Sequence, residues 1–198
     1  MRSISDVPLR AKHWQIFLIM AAFVGAAVSA ILVGFALVPR GQFPSALPFF
    51  GVMELMTISF GLWLWSLGTF LNSRIPRELR MKTRFFVFSV IYLPLYLPLF
   101  GIFFEDQQLT RNLSLILISW VIIFPLHLFA MFCQFYGWYF VSKSLATAEN
   151  ARSASLADYI GYFFGLWFLP VGVWIIQPRI NRLYTDAALV ISSTDSRA

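Results

Sequence analysis

Charged side chains make up only 12% of this 198-residue chain, while 59% of its residues are hydrophobic. Soluble proteins average about 25% charged residues. A soluble domain of this size has too little interior to hide so much apolar surface. The shortage of charge therefore excludes a water-soluble globule and leaves lipid as the solvent. Cysteine is almost missing as well. Cys133 stands alone, so an internal disulfide is excluded, and its apolar surroundings read as inert packing. Histidine occurs twice, at His13 and His127. These lie about 20 Å apart in depth along their helices, which excludes haem held by two internal ligands. No metal and no cofactor are expected. Also lacking are the zinc motif HExxH, the nucleophile motif GxSxG, a phosphate loop and a dinucleotide glycine pattern. With so few polar groups, an intramembrane enzyme acting on lipid is the weakest functional reading.

Long apolar runs are what the chain has. Four of them reach about 20 residues, the length that crosses a bilayer as a helix: 14–38, 48–71, 85–104 and 113–141. The first is too long for the apolar core of a cleavable signal and is expected to stay as a helix. The fold class expected is all-α integral membrane: four transmembrane helices plus a kinked fifth hydrophobic segment, re-entrant or a short span, over 159–177. A single membrane domain of residues 1–198 with a polar tail over 185–198 completes the expected organisation.

The net charge is +6, but the basic residues are scattered between apolar runs and form no stripe, which excludes nucleic acid as a partner. They alternate instead. Arg2, Arg10, Lys12, then Arg74, Arg77, Arg80, Lys82, Arg84, then Lys143 and Arg152 would lie on one side of the membrane. Against those ten stand two, Arg40 and Arg111. Positive loops stay in the cytoplasm, so the N-terminus is expected there. Trp14, Trp65, Trp138, Tyr139 and Tyr159 would fall at the same interface. Arg74, Arg77, Arg80, Lys82, Arg84, Arg179 and Arg182 are candidate contacts for lipid head groups.

The fifth segment, WFLPVGVWIIQPRIN over Trp167–Asn181, carries Pro170 and Gly172 at its centre. A crossing would put Arg179, Arg182 and Arg197 outside. A segment that dips in and returns keeps them inside, which suits the charge rule better, with Gln177-Pro178-Arg179 marking its exit. An ordinary short span with a proline kink stays open. Pro94 and Pro98 should bend the third helix, and Pro125 lies in the fourth.

Few polar groups enter the apolar runs. Glu54 shares a stripe with Gly61 and Gly68, spaced by seven, so it should face the bundle. A carboxylate there is a candidate site for a proton or cation, although it also lies close enough to the helix start to reach the interface. His127 and Gln134 share one face of the fourth helix with Trp120 and could bond between helices; pairing of His127 with Glu54 would need tilted helices. Small residues allow helices to approach closely in lipid. Ala22, Ala26, Ala30 and Gly34 form such a strip on the first helix, beside Ala21, Gly25 and Ser29. Gly61 and Gly68 form another on the second. Asn112-Leu-Ser114 matches a glycosylation acceptor pattern.

Two stretches, LWLWSLGTFLNSRIPRELRMKTRFF and FFGLWFLPVGVWIIQPRIN, resemble a group of small bacterial polytopic membrane proteins. The resemblance rests on a Leu-Asn exit into a basic loop and on an aromatic Pro-x-Gly-x-Trp run ending in Gln-Pro-Arg. It implies a bacterial cytoplasmic (inner) membrane home and brings no activity, ligand or partner. From the residues, the expected role is a non-enzymatic accessory, structural or assembly subunit. Its partners would be the bilayer and either other membrane subunits or a second copy. The alternative is a small transporter or channel component using Glu54 and His127.

Overall fold

A computed structural model describes residues 7–39, 44–105 and 113–195. Arg2, Arg40, Arg111, Asn112, Arg197 and the last residues of the expected tail lie outside them. Every regular element among the described residues is helical. A short α1 (Val7–Arg10) precedes α2 (His13–Leu37), α3 (Leu47–Arg74), a 3₁₀ turn (Arg77–Leu79), α4 (Thr83–Glu105), α5 (Leu113–Asn150), α6 (Leu156–Trp167) and α7 (Leu169–Asp195). α2, α3, α4 and α5 from Ser119 onward are long and apolar enough to cross a membrane.

The expected helices are present, with two extensions. α5 runs nine residues past Val141 to Asn150. The added stretch, SKSLATAEN, has lost its continuous apolar character but keeps good helix formers and buries Leu145 and Ala146. α7 likewise continues through Gln177-Pro178-Arg179 to Asp195, where an exit and a polar tail were expected. Ala187, Ala188 and Leu189 favour its continuation past Asp186.

The fifth segment is two helices, not one kinked run. α6 has 12 residues, about 18 Å, against a bilayer core of about 30 Å. It ends at Phe168, whose φ of −91° and ψ of 59° leave the helical range. Pro170 then falls in the first turn of α7, where a missing N–H has no helical partner to lose. The proline separates two helices instead of bending one. α6 and α7 pack as a hairpin through glycine: a Cβ on Gly172 would overlap the Gly165 backbone carbonyl. Along α7, Arg179 donates to Glu149 at the end of α5 and to Tyr162 of α6. The chain has therefore turned back towards the end of α5 from which α6 departs.

The described residues gather into two compact units. The first comprises 7–19, 62–82 and 138–195. Its core is largely aliphatic: Leu64, Leu67, Leu71 and Ile75, with Val141 and Leu145, and with Leu166, Val173, Ile176 and Ile180, joined by the rings of Trp63 and Phe140. Trp14, Trp65, Trp138, Tyr139 and Tyr159, expected at one interface, all belong to it. The second comprises 20–39, 44–61, 83–105 and 113–137. There α3 and α4 run antiparallel, since Phe50 meets Gly101 while Gly61 meets Val90. α4 and α5 are laced by aromatic rings: Phe85 on Tyr136, Tyr92 on Phe129, Phe100 on His127 and Phe103 on Trp120. α4 and α5 continue through Pro94, Pro98 and Pro125.

Candidate functional site

Glu54 lies two helical turns from Gly61 on α3, in the second unit. Its Oε2 is buried and has no hydrogen-bond partner. The antiparallel register sets this part of α3 against the double-proline stretch of α4. Pro94 lacks the N–H that would bond the carbonyl of Val90 in a helix, and that carbonyl faces α3, 3.8 Å from where a Cβ on Gly61 would stand. A buried carboxylate oxygen and a carbonyl released by proline thus share one helix pair. Such oxygens suit a proton or a hard cation.

His127 does not join Glu54. Its Nδ1 is 3.0 Å from the Tyr96 hydroxyl, and its ring stacks on Phe100 at 5.2 Å. α4 supplies both contacts, so the histidine is fixed by its neighbour on the aromatic ladder. Gln134 is half-buried on the same helix. Among the described residues, no three His, Cys, Asp or Glu side chains come together as metal ligands would.

The basic residues separate into different environments. Arg80 caps the end of α3: its Nε donates to Ile75 O at 2.9 Å and its Nη2 to Ser73 O at 2.8 Å. Those bonds satisfy carbonyls left open at a helix C-terminus. Arg179 is held by Glu149 at 3.0 Å and Tyr162 at 2.7 Å. Arg77, Lys82, Arg84 and Arg182 are exposed. Arg74 is exposed and lies over the Phe70 ring.

The small-residue strips also divide. Gly61 touches Val90 and Gly68 is buried, so the α3 strip is a contact face within the chain. On α2, Gly34 meets Pro44 and Ala30 is half-covered, but Ala22 and Ala26 are exposed and Gly25 has nothing within 4 Å. Ala27 is the buried alanine there.

Sequence reading missed the most connected polar residue. Gln177 is fully buried in the first unit. Its Nε2, with two N–H bonds to share, lies within hydrogen-bond distance of three acceptors: Pro8 O at 3.0 Å, Ala11 O at 2.9 Å and Asn181 Oδ1 at 2.9 Å. Its Oε1 accepts from Trp63 Nε1 at 3.1 Å, and Asn181 Nδ2 also reaches Ala11 O. The spacing did contain a signal, because Gln177 lies on the same helical face as Val173 and Ile180. Comparison of the chain with protein-family models, with curated proteins and with solved structures returned no match.

Proposed function

We propose that the chain is a non-enzymatic multi-pass protein of the bacterial cytoplasmic membrane, with its N-terminus in the cytoplasm. In this reading it serves as an accessory or assembly subunit of a membrane complex. One observation carries it: the open Ala22–Gly25–Ala26 strip of α2, on a helix apolar enough to cross a membrane. Lipid tails gain little by lying against such a strip, whereas another helix can bring its backbone close. The occupant is a helix of another subunit or of a second copy. The ten-to-two distribution of basic residues supports the orientation. An Ala26→Cys chain with Cys133 replaced is expected to cross-link in native membranes and to co-purify with its partner in mild detergent. A chain that stays monomeric and uncross-linked overturns the reading.

The unpartnered Glu54 oxygen favours a second reading, a small proton- or cation-coupled transporter or channel component. Glu54 would take the cation, the Val90 carbonyl would line its path, and His127 would enter through its bond to Tyr96 on α4. Glu54→Gln should then abolish proton-coupled flux in liposomes. Unchanged flux removes the residue from any such path.

A further inference from the structure

Two arginines of the first unit, Arg10 and Arg74, belong to a stack that no carboxylate of the described residues enters. Arg10 lies over the Tyr184 ring, its Cζ 5.3 Å from the centroid, and its Nε donates to the Tyr184 hydroxyl at 3.1 Å. Tyr184 packs on Phe70 with centroids 5.6 Å apart. Arg74 covers Phe70, again with its Cζ 5.3 Å from the centroid. The order is guanidinium, phenol, phenyl, guanidinium, contributed by α1, α7 and α3.

Ion pairs among the described residues are Arg152–Asp158 and Arg179–Glu149. Arg10 and Arg74 therefore keep their charge uncompensated within the described residues, and both are exposed. A guanidinium has five N–H donors in a fixed fork; Arg10 uses one of them on Tyr184. Arg80, only six residues from Arg74, shows the contrast, with its donors turned onto helix-end carbonyls. The rings hold the two guanidiniums in place, which lowers the entropy lost when an anion binds.

We infer that the two guanidiniums of this stack bind the phosphates of anionic phospholipid head groups. Guanidinium forks match phosphate oxygens. The stack lies where the span of α3 ends, at Arg74, and aromatic rings favour the interface between acyl chains and water. That position selects a lipid phosphate over a soluble one. The inference rests on α3 crossing a membrane; it needs neither a partner subunit nor a particular side.

The test is native mass spectrometry of the full chain in detergent, titrated with phosphatidylglycerol, phosphatidylcholine or inorganic phosphate. Phosphatidylglycerol is expected to bind best. Arg10→Gln with Arg74→Gln should weaken it by about thirtyfold, while Arg152→Gln, an arginine outside the stack and already paired with Asp158 at 3.0 Å, should change it by less than about twofold. Arg10→Lys with Arg74→Lys should fall between, because charge remains and the planar fork is lost. Equal binding of the two lipids, or a double glutamine variant that binds like the parent, overturns the assignment. Displacement of phosphatidylglycerol by equimolar inorganic phosphate overturns the lipid as the source. If the double variant loses its helical circular dichroism, Tyr184→Phe keeps both charges and should still weaken binding by about threefold; no change would count against the stack. A chain that needs no detergent would fail earlier, on membrane residence itself.

Discussion

Gln177 and His127 are both polar side chains on apolar helices, and the structure treats them differently. Gln177 gathers four polar neighbours from three stretches of the first unit. His127, in the second unit, has one hydroxyl and a surround of rings. The contrast extends to each unit as a whole. The first combines a largely aliphatic core with a web of side-chain to backbone bonds and a glycine-tight hairpin. In the second, helices meet through aromatic ladders, and its one carboxylate on the α3 face is left with an unpartnered oxygen. Bonds to backbone carbonyls define one geometry, because a shifted donor leaves buried groups unpaired. Ring contacts tolerate offsets. The region with the stricter geometry should therefore be the less forgiving of substitution.

The largest expected effect tests the hairpin. Gly172→Ala places a methyl group inside the Gly165 carbonyl, where only backbone movement can relieve it. A loss of about 3 kcal/mol or more is expected, read as a lower thermal midpoint in detergent. Gly165→Ala meets Ile176 Cδ1 at 3.4 Å, an ordinary contact, and should be nearly neutral. Equal effects would mean that the two helices do not pack as described.

The next effects set the units side by side. Gln177→Leu leaves the Pro8 and Ala11 carbonyls and the Trp63 indole without this partner, with an expected cost of about 2–4 kcal/mol. Tyr96→Phe removes one bond to His127 and keeps the ring contacts, with an expected cost of about 1 kcal/mol. If the second proved as damaging as the first, the distinction between the units would fail.

The smallest effect is a pH dependence at the start of α6. Asp158 accepts from the Ser155 hydroxyl and backbone N–H, both at 2.7 Å, and from Arg152. The Ser155 hydroxyl is the main cause holding its carboxyl below the ordinary carboxylate value. A depressed carboxyl stabilises the fold above its unfolded value, and the stabilisation is lost as pH falls through the folded one. Asp158→Asn should lower the thermal midpoint slightly at neutral pH, with the gap closing in acid. A gap of constant size would assign the effect to something other than ionisation.

The apolar runs in the sequence located all four long helices, because bilayer thickness leaves few other solutions for such runs. Boundaries were legible only where apolarity ended together with the helix. At α5 it did not, since Ser142, Ser144 and Thr147 are buried there beside Leu145 and Ala146. In the fifth segment nothing local to Pro170 distinguishes a bend within one helix from a junction between two. The close approach of Gly165 and Gly172 decides it, and that is a tertiary fact. Glu54 was visible as a lone acid in an apolar run. The Arg10 stack was invisible, since its members lie on α1, α3 and α7 and share no periodicity.

The bonds from Gln177 to Pro8 and Ala11 join positions 169 and 166 residues apart. Chains are made from the N-terminus, so these carbonyls emerge long before the amide that covers them. The Pro8–Ala11 stretch waits, held by water or by another protein, until the ribosome has delivered the chain as far as Gln177. Fastening α1 therefore comes only after α7 has been made.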